Sequence, residues 1–429
     1  MSHVKPLIVD LDTSLLRTDL AREEFWRVLG DGGWRTLLSG APKATSYLRH
    51  ASAADLAKLP MTAAVVEAMR DARAAGRRVV LVTHAPDELA RRFADALDIV
   101  DEAVGDAPAG ADRAAWLASR FDGAGVEYVA GASAAPTGGI APYIKALRPH
   151  QWVKNLLVFL PMIAAHRFDF QTLALTLIAF AAFCLVASSV YILNDLLDLS
   201  SDRAHPRKRF RPMASGAVPL AHAGVLALVC LVAGLGLALF AGSQFVAALC
   251  GYTILTTVYS LRLKREPILD VCVLAALYTL RIVAGAAATG IVLSVWLLAF
   301  SIFIFLSLAA IKRQTELVDN LQSGRDKPAG RGYRVVDLPI VEMMSVAAGY
   351  VAVLVLALYL NATTVAGLYA TPEILWVVCA VLLYWISRVV MIAHRGEMHD
   401  DPIVFALRDR ISHVCGVVIV IALAAATWW

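Results

Sequence analysis

The chain has 429 residues, 59% of them hydrophobic, with a formal net charge of +4 and a mean hydropathy of +0.65. That length leaves room for two or more domains. The hydropathy excludes a wholly water-soluble globule, and so small a positive charge excludes nucleic acid as the main partner.

Apolar runs gather after about residue 150, so the two parts of the chain differ in kind. The first residues alternate acids with Leu and Val, a pattern unlike a signal peptide. Pro6 to Asp12 reads as a short buried strand ending in two acids, Asp10 and Asp12. Thr62 to Ala75 has helical periodicity and stops at Gly76, and Arg78 to Thr83 is a second buried strand. Helices are expected over Asp87–Leu97 and Asp112–Phe121, and a further strand over Val126–Ala130. Alternating strands and helices predict a parallel α/β sheet. In such sheets the site lies at the carboxyl ends of strands, where Asp10, Asp12 and Thr83 fall.

These residues resemble the haloacid dehalogenase (HAD) superfamily. Its DxDGT motif is matched by Asp10-Leu11-Asp12-Thr13-Ser14, and Thr83 matches its second motif. The resemblance implies Asp10 as a phosphoryl-accepting nucleophile and Asp12 as general acid. The sequence departs from the family in three places. Thr13 replaces a glycine, Arg113 is the only candidate for the basic third motif, and Gly131 to Pro136 lack the metal-binding carboxylates. The head, residues 1–135, is therefore expected to be a degenerate and inactive HAD-like domain, because phosphoryl transfer depends mainly on charge neutralisation. The Gly-, Ala- and Pro-rich stretch over 136–143 reads as a linker.

From residue 144 to 429 the sequence predicts a membrane domain. Apolar runs near 155–165, 172–193, 220–241, 244–260, 268–289, 291–311, 339–360, 374–394 and 411–429 suit about nine transmembrane helices. Lys and Arg concentrate in alternate loops: Arg203 to Arg211, Arg262 to Arg265, Lys312 to Arg334 and Arg388 to Arg410. By the positive-inside rule these loops, the head and the site belong on the cytoplasmic side of the inner membrane. Cys184, Cys230, Cys250, Cys272, Cys379 and Cys415 lie in apolar runs without a CxxC pair, and read as small buried hydrophobes.

The polar motifs of this part fall at the cytoplasmic ends of spans. The first runs from Arg148-Pro149-His150-Gln151 to Lys154-Asn155. A site role is weighed here against plain topology anchoring by Arg148 and Lys154, and helical spacing puts Gln151 and Asn155 on one face, where they need polar partners. The second is Asn194-Asp195, Asp198 and Asp202 at the end of a long apolar run. Helical spacing puts the three acids on one face, which suits Mg²⁺. Arg203, Lys208 and Arg211 follow at once and suit phosphate oxygens. The third comprises Tyr259, Lys264 and Asp270, with Arg281 deeper in the next run. A charge inside a span is a functional candidate, although Arg281 and Asp270 could simply pair with each other. Lys312, Arg313 and Glu316 close another span, and Asp400, Asp401, Arg408, Asp409 and Arg410 lie in the last basic loop, where charges are cheap and carry less weight.

From about 145 to 429 these motifs together resemble the UbiA superfamily of intramembrane prenyltransferases. The strings around Arg148–Asn155, Asp202–Pro212 and Ala406–Arg410 are closest to its decaprenyl-phosphate phosphoribosyltransferases. The resemblance implies Mg²⁺-dependent transfer of 5-phosphoribose from 5-phosphoribosyl-1-diphosphate to a polyprenyl phosphate, feeding an arabinose precursor of a cell wall or glycoconjugate. Asp195, Asp198 and Asp202 would hold the metal, with Asn194 completing or orienting its shell. Arg203, Lys208 and Arg211 would take donor phosphates. Gln151, Lys154, Asn155, Lys264 and Arg281 would hold the ribose or the lipid phosphate, and Tyr259 and Asp270 complete the substrate-binding set. The alternative is prenyl transfer to an aromatic acceptor such as 4-hydroxybenzoate. A homo-oligomer is compatible with the sequence but not specified by it.

Overall fold

The computed structural model describes residues 5–30, 53–108, 112–121, 127–129, 139–328, 330–361, 369–398 and 401–428. The chain divides into two compact units, Met1–Arg148 with Tyr191–Val229, and Pro149–Val190 with Cys230–Trp429.

The first unit is built on four parallel strands, β1 (Leu7–Asp10), β2 (Val79–Val82), β3 (Glu102–Val104) and β4 (Glu127–Val129), in the order β3-β2-β1-β4. Strand residues alternate between faces. Leu7, Val9, Val79 and Leu81 pack under Met69 and Phe93, while Ile8, Val80 and Val82 pack with Val104 and Leu117 on the other side. Both faces are covered, as parallel sheets require. Helix α1 (Leu20–Gly30) reaches this core only through Leu20, and the covering helices are α2 (Ala63–Ala74), α3 (Asp87–Leu97) and α4 (Asp112–Arg120). The sequence pattern shows neither β3 nor α1: the strand has three residues and α1 carries as much charge as apolar surface. The short helix α5 (Ala141–Leu147) follows, while Gly131 to Pro136 lie outside the described residues.

The same unit includes the polar ends of two long helices, α6 (Phe170–Leu197) and α8 (Leu220–Ala238), with a short helix α7 (Leu199–Ala204) between them. Ile192, Leu196, Leu199, Met213, Val218 and Leu220 form one core there, against which Trp26 of α1 packs. Two glycines allow the head to approach this closely. A Cβ on Gly30 would stand 2.3 Å from the Leu197 carbonyl oxygen. Gly216, at φ +69°, lies against Arg17 and Pro60.

The second unit is helical: α9 (Ser243–Leu261), α10 (Leu269–Thr289), α11 (Val295–Gln322), α12 (Leu338–Leu360), α13 (Trp376–His394), the five-residue α14 (Pro402–Ala406) and α15 (Arg410–Trp428). Among the described residues eight helices, including α6 and α8, are long and apolar enough to cross a membrane. The run near 155–165 is not one of them, which corrects the expected nine. It forms a 3-10 helix over Pro149–Phe159 and a five-residue helix over Leu160–Ala164, with Pro161 near the start of the latter. Its apolar stretch is short of the ~20 residues a spanning α-helix needs. The change of helix type also regroups side chains. In a 3-10 helix residues three apart eclipse, so Gln151 falls with Lys154 rather than with Asn155.

Candidate active site

The acidic motif sits where α6 stops. Asp198 leaves helical geometry, at φ −98° and ψ 12°, and becomes the N-cap of α7. Asp195 and Asp202 still share one side, where Arg211 reaches both, but the three acids do not form one group. Asp195 and Asp202 are buried, whereas Asn194 and Asp198 are half-buried. Arg211 Nη1 donates to Asp195 Oδ1 at 3.1 Å and to Asp202 Oδ2 at 2.6 Å. Arg148 donates to the same Asp195 oxygen. Its backbone has φ +54°, and its guanidinium lies 5.5 Å from the centre of the Tyr191 ring. Sequence left Arg148 between a topology anchor and a site residue, and the structure makes it a partner of the motif. Burial pushes the Asp202 carboxyl up, with Asp195 adding to the effect and Arg211 opposing it.

Two buried acids bridged by one guanidinium are not a ready-made metal cage. Among the described residues no three His, Cys, Asp or Glu side chains form a group able to hold a metal ion. Asp195 Oδ2, however, is buried without a hydrogen-bond partner. Buried acceptors are normally satisfied. An orphaned carboxylate oxygen beside a second buried acid fits Mg²⁺, a hard cation that takes few protein ligands and shares its shell with substrate phosphates.

The basic residues divide. Arg211 lies on the acids, and Lys208 is exposed. Arg203, expected on donor phosphates, is instead held by Glu23 of α1 through two bonds of 2.6 and 2.7 Å, and by the Ala214 carbonyl at 3.1 Å. Both side chains of that pair are under 8% exposed.

Three polar clusters of the second unit take in residues the sequence singled out. Asp270 is fully buried; one oxygen accepts from Tyr259 at 2.8 Å and Arg331 at 3.0 Å, and the other from Arg313 Nε at 2.8 Å. So enclosed a carboxylate ties helices together and has no oxygen left for a substrate, against its expected role. Arg331, in the loop after α11, has its guanidinium held more firmly protonated by Glu316, Tyr259 and Asp270 against the effect of burial. Arg281 does not pair with Asp270. Its Nε donates to Asn155 Oδ1 at 3.0 Å and its Nη2 to the Tyr252 hydroxyl at 2.9 Å. In the third cluster Lys154 Nζ and Lys312 Nζ reach Asp401 Oδ2 at 2.8 and 3.1 Å. Lys264 lies half-buried in a short 3-10 turn, and Gln151 is half-buried.

In the head the expected residues do meet. Thr83 Oγ1 donates to Asp12 Oδ1 and the His84 amide to Asp12 Oδ2, both at 2.9 Å. Asp10 Oδ1 accepts from the amides of Asp12 and Thr13, and its Oδ2 from Tyr128 at 2.7 Å and from Arg113. A carboxylate with both oxygens so occupied is a poor nucleophile. Burial tends to raise its pKa, but Tyr128, Arg113 and the Thr13 amide hold it below the usual carboxylate range. The Tyr128 hydroxyl is pushed up to about 12, first by burial and then by its bond to Asp10.

Residues 155–411 match the UbiA prenyltransferase family. An uncharacterized protein, y4nM, of Sinorhizobium fredii is 34% identical over 98% of this chain and 91% of its own length. The decaprenyl-phosphate phosphoribosyltransferase of Mycolicibacterium smegmatis is 39% identical, over 43% of this chain and 61% of that protein. Among solved structures, a UbiA homolog from Archaeoglobus fulgidus bound to GPP and Mg²⁺ aligns with a TM-score of 0.50 at 16% identity, covering 66% of this chain and 99% of that one.

Proposed function

This chain belongs to the UbiA prenyltransferase family, and from that premise we propose that it is a phosphoribosyltransferase acting on a lipid phosphate. As a membrane transferase, it would move 5-phosphoribose from 5-phosphoribosyl-1-diphosphate to a polyprenyl phosphate and release diphosphate. The Mycolicibacterium relative supports the choice of substrates over the part it shares, which is less than two thirds of its own length. The observation that carries the proposal is the set at the end of α6: two buried acids, one orphaned oxygen, and Arg148 and Arg211 converging on them.

A phosphate oxygen of the lipid would attack the anomeric carbon as the bond from that carbon to the diphosphate breaks. The bonding electron pair leaves with the diphosphate, and no proton has to move. Asp195 and Asp202, with substrate oxygens completing the shell, would hold Mg²⁺, which when bound supplies charge neutralisation for the leaving group. Arg211 and Arg148 already sit on Asp195, so they are placed to turn to diphosphate oxygens as the donor enters. Asp202, kept dry, contributes charge in a low-dielectric setting where it acts strongly.

The head shares its compact unit with the basic loop after α6. We assign both to the cytoplasmic side, because Lys and Arg concentrate in alternate loops. The head, residues 1–135 by our division, would be a non-hydrolytic HAD-like platform joined through 136–143 to the transferase domain, 144–429.

The test uses radiolabelled 5-phosphoribosyl-1-diphosphate, polyprenyl phosphate and membranes carrying the protein. Label should enter the lipid extract and vanish with Asp195→Ala or EDTA. No label in lipid, with prenylated 4-hydroxybenzoate formed in parallel, would transfer the assignment to the aromatic reaction.

A further inference from the structure

The third cluster of the second unit has a charge balance that its structural role does not explain. Two ammonium groups converge on a single carboxylate oxygen, Asp401 Oδ2, at 2.8 and 3.1 Å. The other oxygen of Asp401 accepts from the Ile403 amide at 3.2 Å, which caps α14. Only one oxygen is therefore available to both lysines. Lys154 and Asp401 are each 9% exposed and Lys312 is 31% exposed, so the cluster is dry on one side and open on the other. Glu316, one turn beyond Lys312, is engaged by Arg313 and Arg331. The Tyr278 hydroxyl lies 3.5 Å from Asp401 Oδ2, and its ring lies 5.7 Å from Lys154 Nζ and 5.5 Å from the Arg281 guanidinium.

A strap tying the loop to α11 would need one lysine and one acid. The second lysine brings an additional desolvated charge, and buried ion pairs of this sort give little net stability. Burial would raise the Asp401 pKa, but Lys312 and Lys154 together hold its carboxyl far below the usual range. The pair thus attracts anions more strongly than one carboxylate can satisfy. A phosphate monoester offers three terminal oxygens and up to two charges, enough to give each lysine its own partner.

We infer that Lys154 and Lys312 form the binding site for the phosphate of the lipid acceptor, and that Asp401 is its intramolecular competitor. The inference rests on the proposed transfer reaction for its choice of acceptor. The same chemistry would also suit the 5-phosphate of the donor. The exposed side of Lys312 admits the ligand, and Asp401 yields Oδ2 while its other oxygen stays on the Ile403 amide.

The experiment uses full-length protein in nanodiscs, with two readouts. The first is retention of labelled farnesyl phosphate without donor, in competition with farnesol or inorganic phosphate. Farnesyl phosphate should bind and farnesol should not displace it. Lys154→Gln and Lys312→Gln should each weaken binding about tenfold, the loss expected of a charged hydrogen bond. Lys312→Arg should restore most of it, and Asp401→Asn should tighten it severalfold. The second readout is the KM of each substrate in the transfer assay. The glutamine variants should raise the KM for polyprenyl phosphate and leave that of the donor within about twofold. A rise confined to the donor KM assigns the lysines to the 5-phosphate and overturns the inference. Unchanged lipid binding, or weaker binding in Asp401→Asn, makes the cluster a strap and overturns it too. If farnesyl phosphate binds as expected but no label reaches lipid, the transfer reaction has failed and the phosphate site stands.

Discussion

At the scale of single residues, the outcome depends on where a carboxylate's second oxygen goes. Asp270 has both oxygens satisfied and serves packing. Asp195 has one satisfied and one orphaned, and it is the candidate ligand. Sequence marks both as site acids, Asp195 for the metal and Asp270 for the substrate. Their difference comes from Arg313 and Arg331, which arrive from α11 and the loop beyond it. Arg313 was legible as a charge at the end of a span, while Arg331 carries no local signal. Asp10 makes the same point in the head, because Arg113 and Tyr128 take the oxygen a nucleophile would use. Tyr128 gives a pH prediction. Its hydroxyl is raised from 10.0 to about 12, so the folded state binds that proton more tightly than the unfolded chain. The stabilisation is complete below pH 10 and is lost as pH rises from 10 towards 12. Tyrosinate absorbance followed with near-ultraviolet circular dichroism should show head unfolding in that window. Tyr128→Phe should abolish its pH dependence, and an unchanged profile would remove Tyr128 from the account.

At the scale of elements, the bilayer-length runs were legible because apolar composition and length suffice. Seven of the eight spans match their expected positions closely, and α11 runs on to Gln322, past the expected 311. The first run differs from its expected span because hydropathy does not distinguish a 3-10 helix from an α-helix, and only backbone geometry regroups Gln151 with Lys154. Helix α1 was missed, yet it supplies Glu23, the partner of Arg203. Breaking a buried pair leaves an uncompensated charge and costs about 3–5 kcal/mol. Glu23→Ala and Arg203→Ala should each destabilise the protein on that scale. The double variant should fall well short of the sum, which thermal unfolding in detergent will show. Additive effects would mean that the two residues do not act as a pair.

At the scale of the whole molecule, the four parallel strands and the membrane helices follow the alternation and hydropathy of the sequence. The first compact unit does not, because it joins the head to Tyr191–Val229, across a stretch of sequence that belongs to the other unit. Such long-range pairing has no local pattern to announce it. Sidedness is testable with single cysteines in a cysteine-free protein. Arg209→Cys and Arg262→Cys should react with an impermeant thiol reagent only from the cytoplasmic face, and Asn361→Cys only from the other. Labelling of all three from one side would overturn the alternation of loops.

The close seat of Gly30 on Leu197, and of Gly216 against Arg17 and Pro60, has a consequence for biosynthesis. The head leaves the ribosome first, whereas the loop it grips follows later, Arg203 lying 180 residues after its partner Glu23. The seat can therefore form only once that loop has been made, while the spans from Ser243 to Trp428 are still to follow. A nascent chain with a misfolded head would still enter the bilayer, but it would offer quality-control proteases an unseated loop.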